Sequence, residues 1–312
     1  GVAQQPWAAW AFSKAGQFDW TYQPLRAAAR WAMDVNHRGA WPEVATESTP
    51  AYFSPPASLY VAATVEALFG LKADVPADIL TISPSFPSHW PSASVQLADY
   101  RAEFQRGPNR VQYIVESKRA LKRRLQWFLP PARIKRVLAN DRPLEFRVLP
   151  AVNAVQVQAD TPAETKTAII IEYEPMAYEC RRPERLAEGE ELHIEAKGVE
   201  LRTLDDRDGV LCRSWRDGSS SVNGALRTDL LDPYLKFGRL GRLAFSRRTF
   251  FVAASADRGA CSFWLPVDIT VQPRYEVAQV GEVQPASDGL VASILVRNNT
   301  SQTHVSGAGT LS

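Results

Sequence analysis

Two runs decide how this chain reads. The first is Ala57-Ser58-Leu59-Tyr60-Val61-Ala62-Ala63-Thr64-Val65-Glu66-Ala67-Leu68-Phe69-Gly70-Leu71-Lys72-Ala73-Asp74. The second is Asp78-Ile79-Leu80-Thr81-Ile82-Ser83-Pro84-Ser85-Phe86-Pro87-Ser88-His89-Trp90. In the first, Leu59, Val61, Ala62, Val65, Leu68 and Phe69 fall at helical spacing. Ser54-Pro55-Pro56 ahead of it opens a helix, because a serine can cap free N–H groups and proline has none to lose. Gly70 stops it. In the second run, Pro84 and Pro87 hold an extended, donor-poor segment. Phe86 and Trp90 then read as packing residues where a helical part meets a β part.

Upstream the chain stays helical and rich in Ala and Trp. Residues 7–14 predict a helix ending at Gly16. Residues 23–37 predict another, with Pro24 in its first turn, Leu25, Ala28, Ala29, Ala32 and Met33 on one stripe, and Gly39 as its stop. Residues 40–53 read as a loop. From residue 79 the period changes to two. Strands are expected at 94–105, 110–116, 122–129, 133–138, 144–148, 153–158 and 166–174. A second series is expected at 191–197, 199–203, 209–215, 244–254, 260–264 and 267–274, with turns at Asp208-Gly209 and Asp217-Gly218. The last are at 276–283 and 290–297.

The fold class is therefore mainly β with an N-terminal α part. Residues 1–72 form the helical part, 73–92 a linker and 93–176 an antiparallel β-sandwich. Residues 177–265 form a second β-rich domain, and 266–312 a β-sandwich tail. Three apolar helices in about 70 residues do not close a domain, so they need partners beyond this chain. The sequence is expected to be a piece of a longer protein.

Composition narrows the function classes. The chain has 312 residues, 45% hydrophobic and 22% charged, which argues for sizeable cores. Basic and acidic residues number 36 and 34, giving no global push toward nucleic acid. No window of about 18 apolar residues exists to span a membrane. Cys180, Cys212 and Cys261 are widely spaced with no CxxC pair, so zinc and redox motifs fall away. Buried thiols are expected, with one disulfide at most. A basic run between Lys118 and Arg136 alternates with Leu121, Leu125, Ile134 and Val137, as on the wet face of a sheet. Asp205-Asp206-Arg207-Asp208-Gly209 is half a calcium loop without its bidentate glutamate, and a turn is the better reading. No metal and no cofactor are expected.

The 57–90 stretch resembles the end of six-hairpin (α/α)6 glycosidase barrels. There the last helix ends in LxGL, here Leu68-Phe69-Gly70-Leu71. A linker then leads through L-x-I-x-P-x-hydrophobic-P-x-x-W, here Leu80 to Trp90, into a β-sandwich. The motif is similar to that of cellobiose and chitobiose phosphorylases and of amylo-1,6-glucosidase-like and rhamnosidase-like hydrolases. The resemblance spans 40–105 in motif and 1–175 in architecture. It implies that residues 1–72 are the last helices of such a barrel, with the rest of that barrel as partner and a carbohydrate as substrate. The tail resembles those of secreted bacterial glycosidases, so an extracytoplasmic location is favoured.

Glycosidases generally flank the scissile bond with two carboxyl groups. The resemblance places one on the loop Trp41-Pro42-Glu43-Val44-Ala45-Thr46-Glu47, with Glu43 as general base or nucleophile and Glu47 second. Asp19, between Phe18 and Trp20, is a candidate for the other carboxylate or else a helix cap. Trp41, Tyr52 and Phe53 flank the loop and read either as sugar-stacking walls or as packing at the barrel mouth. His37, beside Arg38, reads as a sugar or phosphate contact or as a cation at a helix C-terminus, and the latter is preferred. A phosphorylase, or a polysaccharide lyase using His37 or Tyr52 as base, remains open on the same fold. So does a non-catalytic carbohydrate-binding module in which Glu43 is dispensable.

Overall fold

The computed structural model describes residues 2, 4–33, 41, 54–207, 209–211, 221–226, 247–256, 259–273, 275–286 and 289–299. The protein is mainly β with an N-terminal α part. It divides into two compact units, residues 1–177 with 256–264 and residues 178–255 with 265–312.

The first unit opens with α1 (Gln4–Lys14), α2 (Phe18–Met33) and α3 (Ser54–Ala63). Gly16 ends α1 at φ 72°, a left-handed conformation that favours glycine. The second helix starts at Phe18, ahead of the residue 23 expected from Pro24. The Gln17 carbonyl accepts both the Trp20 N–H (3.0 Å) and the Thr21 hydroxyl (3.2 Å), so the first turn closes without help from proline. Pro24 then sits inside the helix and removes the bond to the Trp20 carbonyl. Leu25, Ala28 and Ala32 are buried, as their spacing predicts. After α3 one π turn, Thr64–Leu68, widens the helix, with the Phe69 N–H bonded to the Thr64 carbonyl at 3.0 Å. Gly70 reverses the chain at φ 69°.

Ten strands follow: β1 (Leu71–Asp74), β2 (Ile79–Ile82), β3 (Ser92–Gln96), β4 (Tyr100–Gly107), β5 (Arg110–Leu129), β6 (Ala132–Ala139), β7 (Arg142–Pro143), β8 (Arg147–Ala151), β9 (Ala154–Asp160) and β10 (Glu164–Pro175). The expected strand 94–105 is two strands, β3 and β4, broken by a turn at 97–99. Conversely, 110–116 and 122–129 are one continuous strand of 20 residues. The N-terminal half of β5 pairs with β4 and β10. Its C-terminal half pairs with β9 and, in parallel, with β2. A parallel neighbour needs a crossover, which the β3–β4 hairpin supplies here. One strand thus serves two pairing paths, β3–β4–β5–β10–β6–β7 and β1–β2–β5–β9–β8.

Odd-numbered residues of β5 from Val111 to Leu129 face inward, with Arg119 the exception at the changeover. Tyr113 and Trp127, on its two halves, meet edge-on with ring centroids 5.8 Å apart, and Phe104 reaches Trp127 at 6.0 Å. The core between the halves holds Val111, Val115, Leu125, Val155, Val157, Ile169 and Ile171, all fully buried. Asn140 and Asp141, both at positive φ, make the two-residue turn joining β6 to β7.

The 84–90 segment is locked between helices and sheet. Phe86 is 2% exposed and touches Phe69 (5.1 Å), Phe104 (4.5 Å) and Trp90 (6.2 Å). Trp90 meets Tyr22 of α2 at 4.8 Å. The Ser83 N–H bonds the Gly70 carbonyl and the Ser85 N–H the Leu68 carbonyl, each at 2.9 Å. The Tyr113 hydroxyl donates to the Phe69 carbonyl at 2.6 Å. Arg106 donates to the carbonyls of Pro87 and Phe86. Burial lowers its pKa, against the pull of Tyr173 and Asp19. Phe86 and Trp90 are packing residues, as the sequence indicates.

The remaining strands belong to the second unit except for residues 256–264: β11 (Glu179–Arg181), β12 (Arg185–Ala187), β13 (Glu191–Lys197), β14 (Glu200–Asp205), β15 (Ser221–Ala225), β16 (Arg247–Ala256), β17 (Cys261–Gln272), β18 (Tyr275–Ala286) and β19 (Gly289–Asn298). They pair as β11–β13–β15, as β12–β17–β16–β14 and as a β18–β19 hairpin. The expected strands 260–264 and 267–274 are one strand, β17, whose residues alternate buried and half-buried throughout. Cys261 is buried and Cys180 half-buried, and neither is in a disulfide; Cys212 lies outside the described residues.

Candidate functional site

Of the residues predicted for catalysis and sugar contact, Trp41 and Asp19 are described. Glu43, Glu47, Tyr52, Phe53 and His37 lie outside the described residues.

Trp41 opens the Glu43 loop, and two helices hold it. Its indole N–H donates to the Ala28 carbonyl of α2 at 2.7 Å. Its ring lies against Tyr60 of α3, with centroids 5.2 Å apart and planes at 31°. Tyr60 is an addition that the sequence pattern did not single out. Its phenol pKa is raised by burial and by nearby Tyr22, against a hydrogen bond with Thr64. Tyr22 and Trp90 pack together at the junction, whereas Trp41 and Tyr60 leave half-buried aromatic surface between α2 and α3. Such surface suits the apolar C–H faces of sugar rings.

Asp19 lies in the first turn of α2, where the helix dipole favours a carboxylate. Its Oδ1 accepts the Ser88 N–H at 2.6 Å, which ties the extended segment to the helix. The sequence offered no sign of this partner, 69 residues along the chain.

The basic run is largely spent on ion pairs: Lys118 with Asp99, Arg119 with Asp78, Arg124 with Asp160, Lys135 with Glu174 and Arg136 with Glu172. This is the expected wet face, with one exception. Arg123 is fully buried and donates to the Leu121 and Glu164 carbonyls and to the Ser117 hydroxyl. Burial lowers its pKa, against Tyr100 and Glu164. Its role is to tie β5 internally and to the start of β10.

Asp206 spends both carboxylate oxygens on backbone, accepting the Val210 and Leu211 N–H groups at 2.8 and 2.9 Å. That geometry makes a turn. Among the described residues no group of His, Cys, Asp and Glu is placed to hold a metal ion. Among them, too, no helix is long and apolar enough to cross a membrane.

No family model matches the chain. No curated protein matches it. Among solved structures it is similar to a GH127 β-L-arabinofuranosidase from Geobacillus stearothermophilus T6, at 13% identity and a TM-score of 0.22, over 72% of this chain and 39% of that one. It is also similar to a gamma-CGTase from alkalophilic Bacillus clarkii, at 11% identity and a TM-score of 0.16, over 60% of this chain and 27% of that one. The chain spans well under half the length of either protein. Neither superposition is close enough to transfer a fold or an activity.

Proposed function

We propose that this chain is the C-terminal part of a glycoside hydrolase acting on an oligo- or polysaccharide. Its three helices would be the last of an (α/α)6 barrel, followed by β-sandwich domains. The observation that carries the proposal is the Trp41 anchor. It fixes the start of the Glu43 loop between α2 and α3, beside aromatic surface. Large apolar side chains left exposed on the helices support a missing helical partner: Trp7 (62%), Trp20 (59%), Val61 (59%) and Met33 (83%).

In this proposal Glu43 is the general base that takes a proton from the attacking water, Glu47 stands second, and Trp41, Tyr52 and Phe53 wall the sugar site. His37 stands as a further candidate contact to a sugar hydroxyl or phosphate. An inverting arrangement would set the two carboxyl groups about 6.5–9.5 Å apart to admit that water. Asp19 is the candidate second carboxylate. Its bond to Ser88 also favours the rival reading, a non-catalytic carbohydrate-binding module in which that carboxylate only fastens the junction.

Glu43→Gln in the longest natural form of the protein is the test. Loss of a positioned base is expected to lower hydrolysis about 10²–10⁴-fold with the fold intact. Unchanged hydrolysis removes Glu43 from the mechanism. Turnover that requires phosphate reassigns the protein as a phosphorylase.

A further inference from the structure

The outward face of β5, β9 and β8 carries an open cleft of about 810 Å³, lined in part by Arg124, Gln126, Phe146, Arg147, Gln158 and Asp160. Its volume lies in the range of small-molecule sites, about 300–1,000 Å³. Strand register builds its floor. Gln126 stands opposite Gln158, which stands opposite Arg147, so two carboxamides and a guanidinium cross three strands in one row. The next row pairs Arg124 with Asp160, Nε to Oδ1 at 3.6 Å. The 143–147 segment forms one wall and contributes half-buried Phe146. Two residues beyond Gln126 the same face is closed. Phe128 lies under the α1–α2 turn, so near Gly16 that a Cβ there would stand 2.6 Å from its ring. Gln17 also donates to the Val152 carbonyl at 3.1 Å.

The polar groups of this floor are largely unspent. The side chains of Gln126, half-buried, and of Arg147 make no hydrogen bond to the described residues. Gln158 gives its amide N–H to Gln156 at 2.9 Å, and its carbonyl oxygen takes no donor among the described residues. The β6–β10 face is different, because Lys135 and Arg136 there are paired with Glu174 and Glu172. The cleft has no net charge, since Arg124 and Arg147 are matched by Glu145 and Asp160. It therefore does not select an anion. What it offers is a row of two carboxamides that both donate and accept and one guanidinium that donates, beside an aromatic edge. That is the complement of a neutral ring with adjacent hydroxyls and an apolar C–H face.

We infer that this cleft binds a short neutral oligosaccharide, using none of the residues proposed for catalysis. The test is a titration of the isotope-labelled full chain, followed by NMR. The probes are xylotriose, cellotriose, maltotriose and arabinotriose, with trigalacturonate as the charged counterpart. The expected result is that at least one neutral trisaccharide moves the side-chain amide signals of Gln126 and Gln158 saturably, in the millimolar range. Gln126→Ala is expected to weaken that binding about tenfold. Gln112→Ala, on the other half of β5 and bonded to Arg110, is expected to leave it unchanged. The inference is overturned if no neutral trisaccharide moves those signals at about 20 mM, a concentration that would reveal even weak binding. It is equally overturned if only trigalacturonate moves them, or if the shifts map elsewhere. Should Gln126→Ala misfold, the shift map of the unmodified chain decides alone. The readout is binding rather than turnover, so the outcome is independent of Glu43.

Discussion

Replacing Gly70 by alanine tests the junction most directly. A Cβ at this position would lie 2.1 Å from the Ser83 carbonyl carbon, 2.2 Å from its oxygen and 2.3 Å from the Pro84 nitrogen. All three are backbone atoms, so no side-chain rotation relieves the overlap. Carbon atoms pack at about 3.5–4.0 Å, and the two segments must therefore separate by more than about 1 Å. That movement breaks the bond from the Ser83 N–H to the Gly70 carbonyl and strains the one from Ser85 to Leu68. A buried backbone group left unpaired costs roughly 1–3 kcal/mol. Holding alanine at φ 69° adds roughly 1–2 kcal/mol. The loss should reach about 4 kcal/mol, a large share of the 5–15 kcal/mol that holds a typical domain together. Gly107→Ala is the control, because its Cβ would meet only the Arg110 carbonyl oxygen, at 3.7 Å. It should change stability by no more than about 1 kcal/mol. Urea unfolding followed by tryptophan fluorescence and circular dichroism measures both. A Gly70→Ala protein within about 1 kcal/mol of the parent would refute the packing argument.

Two further outcomes are expected. Tyr113→Phe removes the donor that satisfies the buried Phe69 carbonyl and should cost about 1–3 kcal/mol in the same unfolding assay, with the ring packing kept. Asp268 is partly buried, which raises its pKa, but hydrogen bonds from Thr249 and Arg247 outweigh this and hold the carboxyl below its ordinary value. A depressed carboxylate adds stability that is present above the unfolded pKa of about 3.9 and is lost as pH falls through the native value. Unfolding midpoints between pH 6 and pH 2 should therefore drop in acid, and Asp268→Asn should flatten that drop, an effect whose absence would deny the group its role.

The α-to-β switch was legible because its signals are local. Gly70 ends one period, Pro84 and Pro87 punctuate, and the alternation after residue 79 belongs to strands. The continuity of β5 was not. Lys118, Arg119 and Ala120 interrupt the burial pattern, yet the backbone keeps pairing through β4, β10, β2 and β9. Strand β15, Ser-Val-Asn-Gly-Ala, shows no alternation to detect, and its place depends on β13. At the candidate site, the sequence drew attention to Trp41 but not to how it is held. Its partner Ala28 was not legible, nor was the grip of Asp19 on Ser88, because long-range hydrogen bonds leave no periodic trace.

The long shared strand also governs how the first unit comes apart. Both pairing paths run through β5, so neither can open fully while the other keeps it. The β3–β4 side and the β8–β9 side belong to one cooperative foldon rather than two. A nick near Lys118–Ala120 would leave two non-covalently joined fragments instead of releasing a smaller stable piece. By the same logic, backbone amides at Tyr113 and Trp127 should exchange with solvent through a common opening, although they belong to different pairing paths.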